Sequence, residues 1–391
     1  MNSDPVTRKP GARPGGKSVA HPAWLDQLAA EEALVLLLSR PRKLFDSVAD
    51  VVRELLERAV DWDRILDLSS RHVVFPLVYR NLRNLDGAPV DKSATARLEE
   101  LYHASHRNGL LLSHSLFDLQ KHFDKQGIDV LVHKGVVVGS CYYGEVADRM
   151  FGDLDLFVRR EDVPRTALLL NNLGFRNVDE VPHPVEDHWR TYRLWEHPHG
   201  NAVGFVKRFD RGGQVDVDLQ WGLAPHYFTL DLSPEPMWER ARTVSILDHD
   251  VRTFSAPDTM LMLCIHGAKH VWTEIRQISD IGAFLSSQPD LDWDAVLRMG
   301  ETGSCTRIVL LGARLGSDVM GADLPAEISR KAHSPEIDDL FRRIVKWRFR
   351  ERRGRISRFR QRIAFNQRAR DRRADSVGTI FYEMRLALGL T

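Results

Sequence analysis

The sequence predicts an α+β protein, a small mixed sheet with flanking helices held between N-terminal and C-terminal helical regions. Three observations lead there. Residues 128–158 and 201–221 contain short apolar or alternating runs bounded by Gly and Asp, the pattern of strands rather than helices. Before them, Leu98, Leu101, Tyr102, Leu112, Leu116, Leu119 and Phe123 mark one stripe of a long helix over residues 94–126. After Ser255 the apolar spacing returns to the helical period.

Taken in order, residues 1–21 are rich in Pro, Gly and charge without an apolar period, and are expected to be disordered. Residues 22–127 read as a helical region. Trp24, Leu25, Leu28 and 34–38 suggest a first helix stopped before Pro41, and residues 44–59 a second. Asp61 opens a third as N-cap, because its carboxylate can accept the unpaired backbone N–H groups of a first turn. His72, alone between Arg71 and Val73, reads as a packing residue. Gly127 permits the left-handed turn that ends the long helix and delivers the chain into the first strand.

Residues 128–233 form the expected core. A strand ends at Lys134-Gly135, a short helix follows over 136–143, a loop carries Arg149, and a second strand occupies 153–158. An amphipathic helix over 162–173, closed by Gly174, leads to strands at 188–195, 201–209 and 214–221, the last two joined by the Asp210 to Gly213 turn. His183, His188, His197 and His199 cluster in this region, but their spacing matches no standard zinc pattern. Residues 234–334 turn helical again after a hairpin over 243–255. Ser255-Ala-Pro-Asp258 is a capping signal with Pro in the first turn, and Asp292-Trp-Asp294 starts a further helix. Residues 335–391 are a basic helical tail that Gly354 should weaken.

At 391 residues and 43% hydrophobic content the chain can bury a sizeable core. The apolar run 33–38 falls far short of the ~20 residues that span a bilayer, so no membrane partner and a cytoplasmic location are expected. Cys141, Cys264 and Cys305 are widely spaced, which suggests buried thiols rather than disulfides or zinc ligands. Net charge is +1, yet residues 342–373 hold fifteen basic side chains against two acidic ones. That segment carries about +13 and leaves about −12 to the rest, so it docks on the acidic body or recruits nucleic acid.

The chemistry-bearing residues lie in the core. Alternation puts Asp153 and Asp155 on one face of a strand, ~6.6 Å apart for a rise of ~3.3 Å per residue. Two carboxylates in an otherwise apolar strand are costly to bury unpaired, and they can converge on a divalent metal beside a phosphate-bearing ligand. Lys134-Gly135 offers a phosphate turn, since glycine allows close backbone approach and a following helix presents free N–H groups. Gly139-Ser140 is a second candidate turn, but it falls inside the expected helix. The donor fork of Arg149 suits a triphosphate, or else a salt bridge to Asp148 or Glu145. On the third strand Asp216 and Asp218 share a face, and periodicity does not choose between them.

The order Lys134-Gly135, Tyr143-Gly144, Arg149 and Asp153-x-Asp155, then the strand 215–221 and His266-Gly-Ala-Lys-His270 with Arg276 and Asp280, resembles the nucleotidyltransferase-like family of the DNA polymerase β superfamily. The resemblance is to its uncharacterised bacterial branch with Lys-Gly in place of Gly-Ser, over roughly residues 55–300. It implies a polymerase β-type nucleotidyltransferase core and selects Asp218 as the third catalytic and metal-binding carboxylate beside Asp153 and Asp155. It also implies that Lys269 joins Lys134, Gly135 and Arg149 in binding nucleotide phosphates; otherwise Lys269 is a solvated lysine on a packing helix. A departure is Gln220, where a His is usual.

The resemblance implies metal-dependent transfer of a nucleoside monophosphate from an NTP such as ATP, with two Mg2+ ions, or Mn2+, and release of pyrophosphate. The hydroxyl acceptor is left open among protein, small molecule and RNA. Two other functions are compatible: a catalytically silent nucleotide-binding scaffold, and an RNA-binding protein acting through residues 342–373.

Overall fold

A computed structural model describes residues 25–178, 201–210, 212–225, 228, 230–348, 355–375, 377, 378, 380, 381 and 384. The N-terminal segment expected to be disordered, the strand expected at 188–195 and the four clustered histidines lie outside the described residues. The chain is an α+β fold, with a small mixed sheet among flanking helices.

The N-terminal helices form where the apolar spacing placed them, but they are more broken than expected. Helix Ala30–Leu38 is preceded by a separate 3-10 turn at Leu25–Gln27, because Ala29 between them is extended. The second helix is split by a 3-10 turn at Asp46–Val48 and ends at Leu56. Asp61 caps helix Trp62–Arg71, its carboxylate accepting from the Arg64 N–H, an interaction worth roughly 1 kcal/mol. The long helix runs Lys92–Lys125, capped by Asp91, and ends at Gly127 with φ +59°. Its far half packs Leu112, Leu116, Leu119 and Phe123 against the sheet.

The sheet is built from β1 (Val130–His133), β2 (Asp153–Val158), β3 (Arg176–Asn177), β4 (Ala202–Arg208) and β5 (Gln214–Gln220), in the spatial order β1-β2-β5-β4-β3. Only β2 and β5 are parallel. The apolar partners of the alternation, Leu154, Leu156, Val158, Val215, Val217 and Leu219, are fully buried beneath it. The opposite parity therefore faces the C-terminal helices, and it carries the carboxylates. A separate hairpin of β6 (Arg242–Ile246) and β7 (His249–Thr253) turns through Leu247 and Asp248, both with positive φ.

Ser255 caps helix Ala256–Lys269 by accepting from the Asp258 N–H, and Asp292 caps helix Trp293–Thr302 in the same way. After His270 the chain reverses through Val271 and Trp272, both at positive φ, and the Trp272 indole folds back onto Gly267. A Cβ at Gly267 would lie 2.4 Å from that ring, which explains the glycine between His266 and Lys269.

The tail forms helices Pro335–Arg348 and Arg355–Ala369. Ile337, Leu340, Phe341, Ile344, Phe365 and Ala369 are buried. Both carboxylate oxygens of Asp371 accept backbone N–H groups of Thr306 and Arg307, capping helix Thr306–Arg314 from a distance of 65 residues in sequence. Arg370 is itself buried, its guanidinium 3.6 Å from the centre of the Phe228 ring. Cys264 and Cys305 are buried free thiols, and Cys141 is partly exposed. Among the described residues no helix is long and apolar enough to cross a membrane.

Candidate active site

Strand register brings the carboxylates together. Asp155 on β2 lies opposite Asp218 on β5, Asp153 opposite Asp216, and His133 on β1 opposite Asp155. One face of three adjoining strands therefore presents His133, Asp155, Asp218 and, two residues further along β5, Gln220.

Lys134 ends β1 with φ +52° and ψ −132°, a conformation unfavourable for a residue with a Cβ. That turn aims the side chain back over the sheet, where Nζ donates to Asp155 Oδ1 at 2.6 Å. Gly135 follows at the start of a short helix, Gly135–Val138, which continues as a π-turn through Tyr143. A Cβ on Gly135 would meet the Asp153 carbonyl oxygen and the Phe151 ring, each at 3.3 Å. The glycine thus allows the turn to pass close to the start of β2, which is what brings Lys134 to Asp155.

Gln220 binds both remaining partners. Its side-chain amide donates to Asp155 Oδ1 at 2.8 Å and to Asp218 Oδ2 at 2.5 Å, and its carbonyl oxygen lies 3.1 Å from His133 Nε2. These contacts set the charge states. Burial, then the neighbouring Asp155 charge, pushes the Asp153 carboxyl up to about 6. Burial acts the same way on Asp155, but the Lys134 ammonium beside it, together with other nearby groups including Arg149, outweighs burial and holds it below the usual carboxylate range. Asp218 is raised by burial and by Asp155. His133 is pushed down to about 3 by burial and the Lys134 charge, so its ring is neutral at physiological pH.

Helix Ala256–Lys269 supplies a basic wall. Burial and the nearby Lys134 charge lower the Lys269 ammonium, while Asp218 and Asp155 are close enough to oppose that shift. His266 and His270 stand with ring centres 4.8 Å apart. Burial first, then Lys134, holds His266 well below its ordinary value; burial, Lys269 and Arg362 push His270 down to about 4. Arg362 belongs to the tail, so the tail helix reaches the edge of this wall.

Arg149 is differently placed from the expectation. Its side chain is 2% exposed, and Nε and Nη2 grip the two oxygens of Asp280 at 2.8 and 2.9 Å. Tyr143 adds a third hydrogen bond to Asp280. The alternative partner Asp148 is instead buried against Arg80. The reason is tertiary: Asp280 on helix Ile275–Ser287 approaches from 131 residues away and offers a bidentate partner that neither local acid can. Nη1 of Arg149 has no hydrogen-bond partner among the described residues.

A family model described as an uncharacterised nucleotidyltransferase matches residues 58–321, about two thirds of the chain. The chain belongs to this family. No protein of curated function matches it. The family region holds the whole sheet, the three carboxylates, Lys134 and Lys269, and stops before the basic tail. Membership supports a general nucleotidyl-transfer function and hence a transferase.

Sequence reasoning gave no role to His133 and noted Gln220 only as a departure. Alternation puts His133 on the same strand face as Leu131, and its partner is visible only once β1, β2 and β5 are paired. Donor chemistry fits a hard divalent cation, since Asp153, Asp155 and Asp218 are oxygen ligands and Asp153 is a desolvated acid that a cation would help ionise. Among the described residues, however, no three His, Cys, Asp or Glu side chains are drawn together closely enough to hold a metal as they stand. Lys134 and Gln220 engage the carboxylates instead.

Proposed function

We propose that this family member transfers a nucleoside monophosphate from an NTP to a hydroxyl-bearing acceptor, in a polymerase β-type site. The observation that carries the reading is the parallel register pairing Asp155 with Asp218, with Asp153 on the same face and Lys134 beside them, inside the family-matched region. Asp153, Asp155 and Asp218 would hold Mg2+ or Mn2+, two ions in the full arrangement. Such ions neutralise a triphosphate and make an acceptor hydroxyl more acidic.

The side chains supply the rest. The acceptor oxygen forms a bond to the α-phosphorus, the bond from that phosphorus to the bridging oxygen of pyrophosphate breaks, and the hydroxyl proton leaves. Asp218, whose carboxyl is raised above the ordinary value, is the base that receives that proton. Lys134 and Lys269 bring two ammonium groups near these carboxylates, where the triphosphate and the leaving pyrophosphate need positive charge. Gly135 keeps the turn close to β2. Arg149 acts one step removed: its grip on Asp280 fixes the loop that leads into Asp153.

A second reading, a nucleotide-binding scaffold without turnover, is favoured by Lys134 on Asp155, an internal cation where an external one would bind. Incubating the protein with each α-labelled NTP, Mg2+ and host lysate separates the two. Transfer gives a labelled product that disappears in Asp155→Asn; the scaffold gives retained nucleotide and no labelled product. The labelled species also identifies the acceptor, and RNA, protein or small molecule are told apart by nuclease, protease and filtration.

A further inference from the structure

We infer that Gln220 is a positioning residue that clamps Asp155 and Asp218 at a fixed separation and angle, and that the amide so oriented sets the tautomer of His133. The inference rests on the metal-holding reading of these carboxylates for its purpose, and on hydrogen-bond geometry for its existence.

The geometry leaves one consistent assignment of hydrogens. A side-chain amide has two N–H donors on one nitrogen and a carbonyl oxygen that only accepts. Here the nitrogen faces Asp155 Oδ1 at 2.8 Å and Asp218 Oδ2 at 2.5 Å. Turning the amide over would set its oxygen against two carboxylates, so the anions fix its orientation. The oxygen then faces His133 Nε2 at 3.1 Å and can only accept, so the imidazole proton is on Nε2. Nδ1 of His133 is consequently a bare, buried nitrogen, and it has no hydrogen-bond partner among the described residues. The ring is wedged edge-on between Phe157 and Phe254, which keeps it from turning away.

The clamp solves a particular problem. Two carboxylates facing each other across parallel strands repel, and the Lys134 ammonium that grips Asp155 Oδ1 does not by itself fix Asp218 relative to it. One neutral amide satisfies one oxygen of each and leaves the other oxygen of each for a ligand. A glutamate at position 220 would add a further anion at this spot, and a histidine offers a single N–H in that direction. Gln220 is buried, so the arrangement is sheltered from exchange with solvent.

Two measurements on the full-length chain test this, using Gln220→Leu, Gln220→Glu and the milder Gln220→Asn. The first is nitrogen-15 NMR of histidine-labelled protein without metal, with His133 assigned by its loss in His133→Asn. The wild type should show the Nε2–H tautomer, and Gln220→Leu should shift His133 toward a tautomer mixture. The second is Mn2+ titration followed by electron paramagnetic resonance. Gln220→Leu and Gln220→Glu should each weaken binding at least tenfold, with Gln220→Asn intermediate. In the transfer assay the metal concentration for half-maximal rate should rise in step, while kcat at saturating metal changes by less than about threefold.

A side chain that served only packing would lower Tm and leave the metal midpoint in place. An Nδ1–H tautomer in the wild type, or wild-type Mn2+ affinity in folded Gln220→Leu, would overturn the clamp. Absence of Mn2+ binding by the wild type itself would overturn the metal-holding reading. It is told apart from failure of the clamp by the His133 tautomer, which responds to Gln220 with or without metal.

Discussion

Asp153 and Asp155 stand two residues apart, yet their environments push them in opposite directions. Lys134 helps keep Asp155 ionised, while burial first, and then that Asp155 charge, raises the Asp153 carboxyl from 3.8 to about 6. Between those two values the folded protein retains a proton that the unfolded chain gives up. The Asp153 contribution to metal-free stability should therefore fall as pH rises from about 4 to about 6, then level off, against the opposite trend from His133, His266 and His270, whose lowered values favour the folded state as pH rises. Asp153→Asn removes this penalty. In EDTA at pH 8 the variant should melt above the wild type, the gap closing by pH 4, while transfer at saturating Mg2+ drops at least ~100-fold. A lower Tm for the variant at pH 8 would reject the charge assignment. On β5, Asp218 is tied to the clamp while Asp216 accepts from Gln214 near the exposed end of the strand. Asp218→Ala should accordingly cost far more kcat than Asp216→Ala, and equal losses would mean that the wrong carboxylate has been chosen. Removing one partner of the buried Arg149–Asp280 pair strands the other charge, so Asp280→Asn should cost about 3–5 kcal/mol in denaturant unfolding. An effect below ~1 kcal/mol would show that the pair is not held as described.

At the scale of elements, the strands and helices that follow local rules were legible: the Asp61, Ser255 and Asp292 caps, the Gly127 stop and the alternation of β2 and β5 all form as their residue types require. What was not legible depends on which strand lies beside which. The Asp155–Asp218 register joins segments some sixty residues apart, and the Lys134 ion pair depends on one residue adopting positive φ. Arg149 illustrates the limit most clearly. Its neighbours offered two acids, and a third from a distant helix took it because bidentate geometry outweighs proximity in sequence. The basic tail, whose charge alone left docking and nucleic-acid binding open, lays its apolar stripe on the body, with Asp371 capping helix Thr306–Arg314 and Arg372 paired to Asp231. Deleting residues 336–391 should uncap that helix and expose apolar surface, lowering Tm by several degrees and reducing solubility. RNA affinity of the intact chain should be weak and fall steeply with salt. Tight RNA binding at ~0.15 M salt, lost on deletion with Tm unchanged, would make the tail a recognition element instead.

At the scale of the whole molecule, the sheet acts as a floor, with its apolar parity against the long helix and its acidic parity toward helix Ala256–Lys269. The acids and Lys134 on the sheet therefore face Lys269 on that helix. That juxtaposition is suited to a substrate that is itself a polyanion requiring a cation. The most direct test supplies the protein with one NTP labelled in parallel at the α- and the γ-phosphorus, with Mg2+ and acceptor-containing lysate. The account predicts that α-label enters a covalent product, that γ-label is released as pyrophosphate, and that Asp155→Asn does neither. Entry of γ-label into product without α-label would mean phosphoryl rather than nucleotidyl transfer, and would contradict the central claim.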